Sequence, residues 1–298
     1  MEKQLVAPTS DSPKQSPRNC AVEPQAPAAP SNEARRWDSE TEFFDRLADR
    51  LEGTLAPFSA EQLARYVDRP GRIYEKEFCF RLLGDLRGLR VLDLGCGDGS
   101  NSVLLAKRGA EVEAFDLSPR LIELAQRRAE LNGVAAQIHF QCAPVERVSF
   151  PEAHFGVVWG DGILHHLIDV IEPTLERLHG WAKPGALFVF SEPLSLSPAL
   201  RRVRLGLPVH TDATPDERPL EARELGIVQS FLPGLKLRHF HAFGRLVRFA
   251  LGGSDYEGAT WIRKRTADAL QALDYALLSF PPLEPFGGMA VMWAHRAR

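Results

Sequence analysis

Asp93, Gly95, Gly97 and Gly99 stand at alternate positions in the run Val91-Leu92-Asp93-Leu94-Gly95-Cys96-Gly97-Asp98-Gly99-Ser100-Asn101. A second acid, Asp116, follows about 20 residues later, the separation at which an acid meets a ribose in nucleotide-binding βαβ units. The glycines remove Cβ from the turn, so backbone can lie directly against a ligand. A helix opening at Ser100 aims its unsatisfied N–H groups at the same place. The chemistry implied is recognition of a nucleoside-type ligand, with backbone at one end and a carboxylate for hydroxyls at the other. A dinucleotide fingerprint requires glycine or alanine where this chain has Ser100, so that pattern fails.

Two consecutive strand–turn–helix units must position these groups. Val91 to Leu94 reads as a buried strand. Glu111 to Phe115 alternates as the next strand, and Asp116 ends it. Ser118-Pro119 supplies an N-cap and a proline at the first helical position. The following helix carries Leu121, Ile122, Ala125 and Ala129 on one face and closes at Asn132-Gly133. Ile138, Phe140 and Cys142 alternate as a third strand, Phe155 to Gly160 reads as a fourth and Leu187 to Phe190 as a fifth.

The D-x-G-x-G-x-G run with an acid at the strand end resembles motif I of the class I S-adenosylmethionine-dependent methyltransferases. The resemblance continues through Phe155-Gly156-Val157-Val158-Trp159-Gly160, through Gly162-Ile163-Leu164-His165-His166-Leu167, and through Ala182-Lys183-Pro184-Gly185-Ala186, which is close to the turn before the family's fifth strand. It covers about Leu89 to Pro193. It implies an α/β fold: a doubly wound, Rossmann-like seven-stranded sheet with a helical N-terminal cap and a helical insertion near the C-terminus. It implies S-adenosylmethionine as cofactor, bound by Asp93, Gly95, Cys96, Gly97, Asn101, Asp116, Leu117, Val145, Glu146 and Gly160. Two departures stand out. Pro144 replaces the acid that usually meets the adenine amino group, and Gly156 replaces the acid after the fourth strand's phenylalanine.

Ligands of open α/β sheets bind at the carboxyl ends of the strands. Asp161, His165, His166 and Glu192 fall near that rim, and Asp161, His165 and His166 are the catalytic candidates. Histidine suits a proton acceptor near neutral pH. Transfer of an activated methyl needs alignment and water exclusion above all. The adjacent pair His165/His166 lacks the i, i+4 spacing of a helical metal pair. His239 and His241 share one face of an expected strand, with no third ligand apparent nearby, so no metal is expected.

Composition bounds the partners. The chain has 298 residues, 44% hydrophobic and 25% charged, with a formal net charge of −3, which fits a globular protein without the basic field of a nucleic-acid enzyme. No apolar run approaches the roughly 18 residues that span a bilayer. Four scattered cysteines (Cys20, Cys79, Cys96, Cys142) form no C-x-x-C pair, which suits a reducing cytoplasm. Nucleic acid is not expected as a partner. A small-molecule methyl acceptor is, with the protein a monomer or homodimer in the cytoplasm.

The segment 1–37, rich in Pro, Ala, Ser and Gln, reads as a disordered tail, and 38–298 as the methyltransferase domain. The expected N-terminal cap, 38–87, holds a helix capped by Ser39 with Phe43, Phe44, Leu47 and Leu51 at helix spacing, a helix opening at Ser59, and a third over Ile73 to Leu86. Tyr74 is a candidate contact on it. Thr211 to Leu220 reads as a turn-rich loop, Glu221 to Phe231 as a helix, Leu235 to Phe243 as strand six and Gly288 to His295 as strand seven. The stretch from about 245 to 285 between them is expected as a lid-like insertion.

The reading that follows is methyl transfer to a small molecule. A cofactor-binding protein without turnover and a dinucleotide-dependent oxidoreductase remain as alternatives.

Overall fold

A computed structural model describes residues 32–197, 218–242, 244–252 and 256–297, with side chains described from Trp37 onward. The expected 1–31 portion of the tail and most of the Thr211 to Leu220 loop lie outside these residues.

Seven strands form one sheet in the order β3-β2-β1-β4-β5-β7-β6. They are β1 (Arg90–Leu94), β2 (Glu111–Asp116), β3 (Ile138–Cys142), β4 (Phe155–Asp161), β5 (Ala182–Pro193), β6 (Lys236–Phe240) and β7 (Met289–His295). The first five run parallel, and β7 pairs antiparallel with both β5 and β6. The helices that link the parallel strands are α4 (Ser100–Lys107), α5 (Pro119–Leu131) and α6 (Ile171–Trp181). Preceding them are α1 (Asn32–Glu52), α2 (Ala60–Leu63) continued by a π-helical turn, and α3 (Glu75–Leu82). After β5 come α7 (Ala222–Phe231), α8 (Gly244–Leu251) and α9 (Trp261–Leu277).

The period of two along each strand sorts the core onto two faces. Leu92, Leu94, Val158, Phe188, Phe190 and Met292 pack together beneath α6 and α7. Val91, Val157, Trp159, Leu187, Val189 and Val291 join Phe80, Val103 and Leu104 on the opposite face. Both faces of the central strands are covered, which is why β4, β5 and β7 read as near-continuous apolar runs, while β2 and β3 alternate.

Several boundaries differ from the sequence expectation. Helix α1 begins at Asn32, so the expected 1–37 tail overlaps it, and Ser39 lies inside the helix rather than at its start. Glu33, Ala34, Arg35 and Arg36 are strong helix formers that the surrounding Pro-rich composition hides. Helix α3 spans Glu75–Leu82 rather than 73–86: Tyr74 is extended, and Gly84 turns left-handed at φ 65. Strand β5 runs beyond the apolar core of the expected strand, because Ala182 pairs with Phe155 across an irregularity and Pro193 pairs with Met289. Strand β6 ends at Phe240, before the expected Phe243, because His241 takes the left-handed conformation at φ 66.

The region between β6 and β7 is tied to the N-terminal helices. Gln271 Nε2 donates to the Ile73 carbonyl at 2.9 Å, Lys264 pairs with Glu61 at 2.8 Å and Arg65 with Glu257 at 2.7 Å. Tyr74 and Tyr256 both donate their hydroxyls to Asp268. Tyr74 is thus a clamp between α3 and α9. It is absent from the lining of the cavity described below. No helix among the described residues is long and apolar enough to cross a membrane.

Candidate functional site

A cavity of about 350 Å³ opens above the carboxyl ends of β1, β2 and β4. Four segments build its floor. Leu94, Gly95, Gly97 and Asp98 come from the glycine turn; Phe115, Asp116, Leu117 and Leu121 from the end of β2 and the start of α5. Ala143, Pro144, Val145 and Glu146 follow β3, and Asp161, Gly162, Ile163, His166 and Leu167 follow β4. Its roof is α1, through Trp37, Glu40, Phe44, Leu47 and Leu51.

The turn is shaped by what it must approach. At Gly95 φ is 65, and a Cβ there would lie 2.5 Å from Ile163 Cδ1. At Gly99 φ is 75, and a Cβ would meet the Ala125 backbone at 2.8 Å, so glycine lets α4 and α5 close together. The Gly97 N–H donates to Asp116 Oδ2 and the Ser118 N–H to Asp116 Oδ1, both at 2.9 Å. Asp116 is therefore fixed at the tip of β2 with lone pairs left for hydroxyl donors. Burial pushes its carboxyl pKa up, against the pull of those backbone bonds.

Asp161 also faces the cavity. Its Oδ2 accepts from Asn101 Nδ2 at 2.9 Å, while Asn101 Oδ1 is buried without a hydrogen-bond partner among the described residues. Asp93 sits one layer behind the turn, fully buried, and its Oδ2 accepts from Ser102 Oγ at 2.5 Å. Cys96, Asn101 and Gly160 likewise stand outside the lining. The Cys96 thiol is buried and pushed well up by desolvation. Gly160 makes room for neighbours, since a Cβ there would meet Phe190 at 2.8 Å and Ile163 at 2.9 Å. Of the residues expected from sequence, Gly95, Gly97, Asp116, Leu117, Val145, Glu146, Asp161 and His166 meet at the cavity wall.

The two histidines part company. They lie on a 3-10 turn, Leu164–His166. His165 is buried and its Nδ1 is 2.8 Å from Glu192 Oε2. The same carboxylate accepts the N–H groups of Ile163 at 2.9 Å, Leu164 at 2.7 Å and His165 at 3.3 Å. Glu192, at the end of β5, thus caps the turn that forms one cavity wall. His166 faces the cavity, its ring tilted against that of His165 with centroids 4.2 Å apart and edge-on to Phe44 at 5.4 Å. His239 is buried on β6 while His241 lies beyond the strand, so the expected shared strand face does not form. Among the described residues no three His, Cys, Asp or Glu side chains gather to hold a metal.

The roof is a helix of the expected N-terminal cap, and Trp37 and Glu40 are the lining residues on it that the sequence did not single out. Trp37, Phe44, Leu47 and Leu51 recur at helical spacing, yet Trp37 falls within the expected tail. Helix α1 is held down through Ala48 against Leu121 and Leu124 of α5, and by Asp45, which accepts from Ser118 Oγ at 2.5 Å.

A parallel sheet with an antiparallel β7, a glycine turn after β1 and an acid at the tip of β2 define the class I methyltransferase fold. Residues 91–185 match the family model described as a methyltransferase domain. The chain is similar to the ubiquinone biosynthesis O-methyltransferase of Methylocella silvestris, 42% identical over 85 residues, covering 28% of this chain and 32% of that one. It is also similar to the magnesium-protoporphyrin O-methyltransferase of Rhodobacter capsulatus, 40% identical over 108 residues, covering 35% of this chain and 48% of the relative. It therefore spans less than half the length of these curated relatives. Among solved structures, geranyl diphosphate C-methyltransferase from Streptomyces coelicolor superposes with a TM-score of 0.53 at 14% identity, covering 91% of this chain and 100% of that one. That likeness is one of fold.

Proposed function

We propose that this protein transfers a methyl group from S-adenosylmethionine to an oxygen of a small molecule. The observation that carries the cofactor assignment is the charge of the cavity wall. Glu40, Asp98, Asp116, Glu146 and Asp161 line it, with no Lys or Arg among the described lining residues; Asp98 is paired with Arg128 at 2.6 Å, which leaves Asp116 and Asp161 at the strand tips as its principal acids. Such a wall attracts a ligand bearing a sulfonium and an ammonium, and opposes the pyrophosphate of a dinucleotide. This charge pattern argues against the oxidoreductase alternative independently of the failed glycine fingerprint.

The residues present fit the group. Asp116 offers acceptors for a ribose diol. Asp161, held by the Asn101 amide at 2.9 Å, offers an acceptor for an ammonium. Val145, Leu167 and the α1 roof offer an apolar slot for a base. When bound, S-adenosylmethionine supplies a methyl carbon activated by its positive sulfur. The chain's own part is to exclude water with α1, align the reactants along the strand ends and accept a proton. The assignment to oxygen rests on the names of the two curated relatives, which match this chain over 85 and 108 residues.

The cofactor assignment is tested by calorimetric titration with S-adenosylhomocysteine. Asp116→Ala is expected to weaken binding by roughly 1.5–3 kcal/mol, the worth of a hydrogen bond to a charged group, with the fold retained. Equal affinity in the two proteins would remove Asp116 from the site. Transfer itself is tested by incubating the protein with methyl-labelled S-adenosylmethionine and a small-molecule extract. Label in a product supports the reading, whereas tight binding with no transfer supports the binding-protein alternative.

A second expected outcome concerns the roof. Phe44→Ala removes the ring that meets His166 and closes the slot. It is expected to weaken S-adenosylhomocysteine binding about fivefold, for an aromatic contact worth on the order of 1 kcal/mol. An unchanged Kd would show that α1 covers the cavity without contributing to affinity.

A further inference from the structure

Helix α9 is amphipathic the wrong way round. Toward the body of the protein it turns Gln271 and Asp274, 1% and 0% exposed. Both are satisfied there: Gln271 Nε2 donates to the Ile73 carbonyl at 2.9 Å, and Asp274 Oδ2 accepts the His241 N–H at 2.9 Å. Outward it turns Ile262, Thr266, Ala269, Leu273 and Ala276, all exposed. Phe280, just past the helix, continues the series and is exposed too. A surface helix ordinarily does the reverse and faces its apolar stripe to the core. The surroundings share the character. Seven of the eight large apolar side chains exposed among the described residues fall within 246–286, with Ile262 at 69% and Leu273 at 50%. A cluster of this kind marks a contact surface.

Spacing and charge point to what covers the face. From Ile262 to Phe280 the outward residues recur at intervals of four, three, four, three and four, the period of a seam between two helices. The middle of the seam is small, with Ala269, Ala272 and Ala276, so another helix can approach closely. The charge of α9 is inverted as well. Arg263, Lys264 and Arg265 stand near its start, with no acid in the first turn and no basic residue in the last, although the helix dipole favours the opposite arrangement. Glu61 holds Lys264 and the Leu251 carbonyl holds Arg263, whereas Arg265 is exposed. A second copy of α9 laid antiparallel meets both features. With a two-fold axis at the middle of the seam, Leu273 packs on the partner's Ala269 and Thr266 on the partner's Ala276, and each contact occurs twice. Arg265 then lies beside the C-terminal carbonyls of the opposing helix. A lipid surface favours bulky residues such as Trp, Phe and Leu along the whole buried face, which the alanine-rich middle lacks.

We propose that the outward face of α9 is the interface of a homodimer, in which two copies of this helix pair antiparallel about the Ala269–Leu273 contact. The inference stands apart from the methyl-transfer reading, because no α9 residue lines the cavity.

The test is sedimentation velocity of the full chain. Between about 1 and about 100 µM the wild type is expected to pass from monomer toward dimer, the range of a small two-fold interface. Leu273→Glu places two unpaired carboxylates at the centre of the seam and is expected to weaken dimerisation at least about a hundredfold. Its circular dichroism at the lowest concentration should match wild type, since the side chain is exposed in the single chain. Should that protein fail to fold, Ile262→Glu at the end of the seam carries the same test, at about tenfold. Arg265→Glu is expected to weaken the dimer about three- to tenfold, more at low salt. A dimer unmoved by Leu273→Glu and Ile262→Glu overturns the proposal, and so does a wild type that stays monomeric throughout. Pelleting with phosphatidylglycerol vesicles then sorts that monomer. Pelleting lost in Leu273→Glu assigns the face to a bilayer, and absence of pelleting assigns it to a segment of the same chain outside the described residues.

Discussion

Glu192→Ala is expected to destabilise the protein by about 3–5 kcal/mol, the usual cost of breaking a buried charged network by removing one partner. The carboxylate is fully buried and serves the N–H groups of Ile163, Leu164 and His165 together with the His165 ring. Alanine leaves those donors without acceptors in a site with no room for bulk water, so most of the desolvation cost returns. For a domain of this size the melting temperature should fall on the order of 10 °C. The variant should also lose cofactor affinity, since Ile163 and His166 are cavity wall. Glu192→Gln keeps one acceptor oxygen and should fall between alanine and wild type. Thermal unfolding of the three proteins checks the order. A Glu192→Ala protein within 1 kcal/mol of wild type would show that the 3-10 turn holds its shape without the cap.

The same network shows why the two histidines differ, which spacing alone does not decide. The two rings touch, with centroids 4.2 Å apart, and it is Glu192, a residue from a different strand, that holds His165 in the interior. Local signals were legible: the glycine turn, Asp116, Ser118-Pro119 and the Asn132-Gly133 stop are fixed by short-range chemistry, and the cavity forms around the first two. The doubly wound sheet was legible because both of its faces are buried and its strands alternate with helices. Contacts between distant segments were not. Trp37 reaches the cavity only because α1 folds over α5, and Tyr74 meets Asp268 across the region between β6 and β7. His241 leaves its strand at φ 66 to meet Glu75 and Asp274, and no β-period or propensity encodes that turn for a histidine. Asp93 is the converse case. Its place in the motif invites a ligand contact, yet the side chain on that strand position points into the face of α4 and meets Ser102.

Asp93→Asn is expected to stabilise the protein above neutral pH and to flatten its stability profile below it. Burial raises the Asp93 carboxyl to about 7 from an ordinary value of 3.8; the Ser102 hydrogen bond and Lys76 oppose the shift, while Asp161 and Asp116 add to it. The folded protein therefore holds a proton here more tightly than the unfolded chain. Below about pH 4 both states are protonated and the site is neutral to stability. From about pH 4 to pH 7 the folded state binds more protons than the unfolded one, so stability falls as pH rises. Above that range the full penalty is present, roughly 4 kcal/mol for a shift of this size. Asparagine is isosteric, carries no charge and still offers an oxygen to the Ser102 hydroxyl, at a loss of about 1 kcal/mol for the weaker hydrogen bond. The net gain above neutral pH should be about 3 kcal/mol, turning into a loss of about 1 kcal/mol near pH 4, where only the weaker hydrogen bond counts. Denaturant unfolding of both proteins from pH 4 to 8 measures the difference at each step. A variant less stable than wild type at pH 8 would mean that the ionised Asp93 stabilises the turn, and that its burial is offset by the short bond to Ser102.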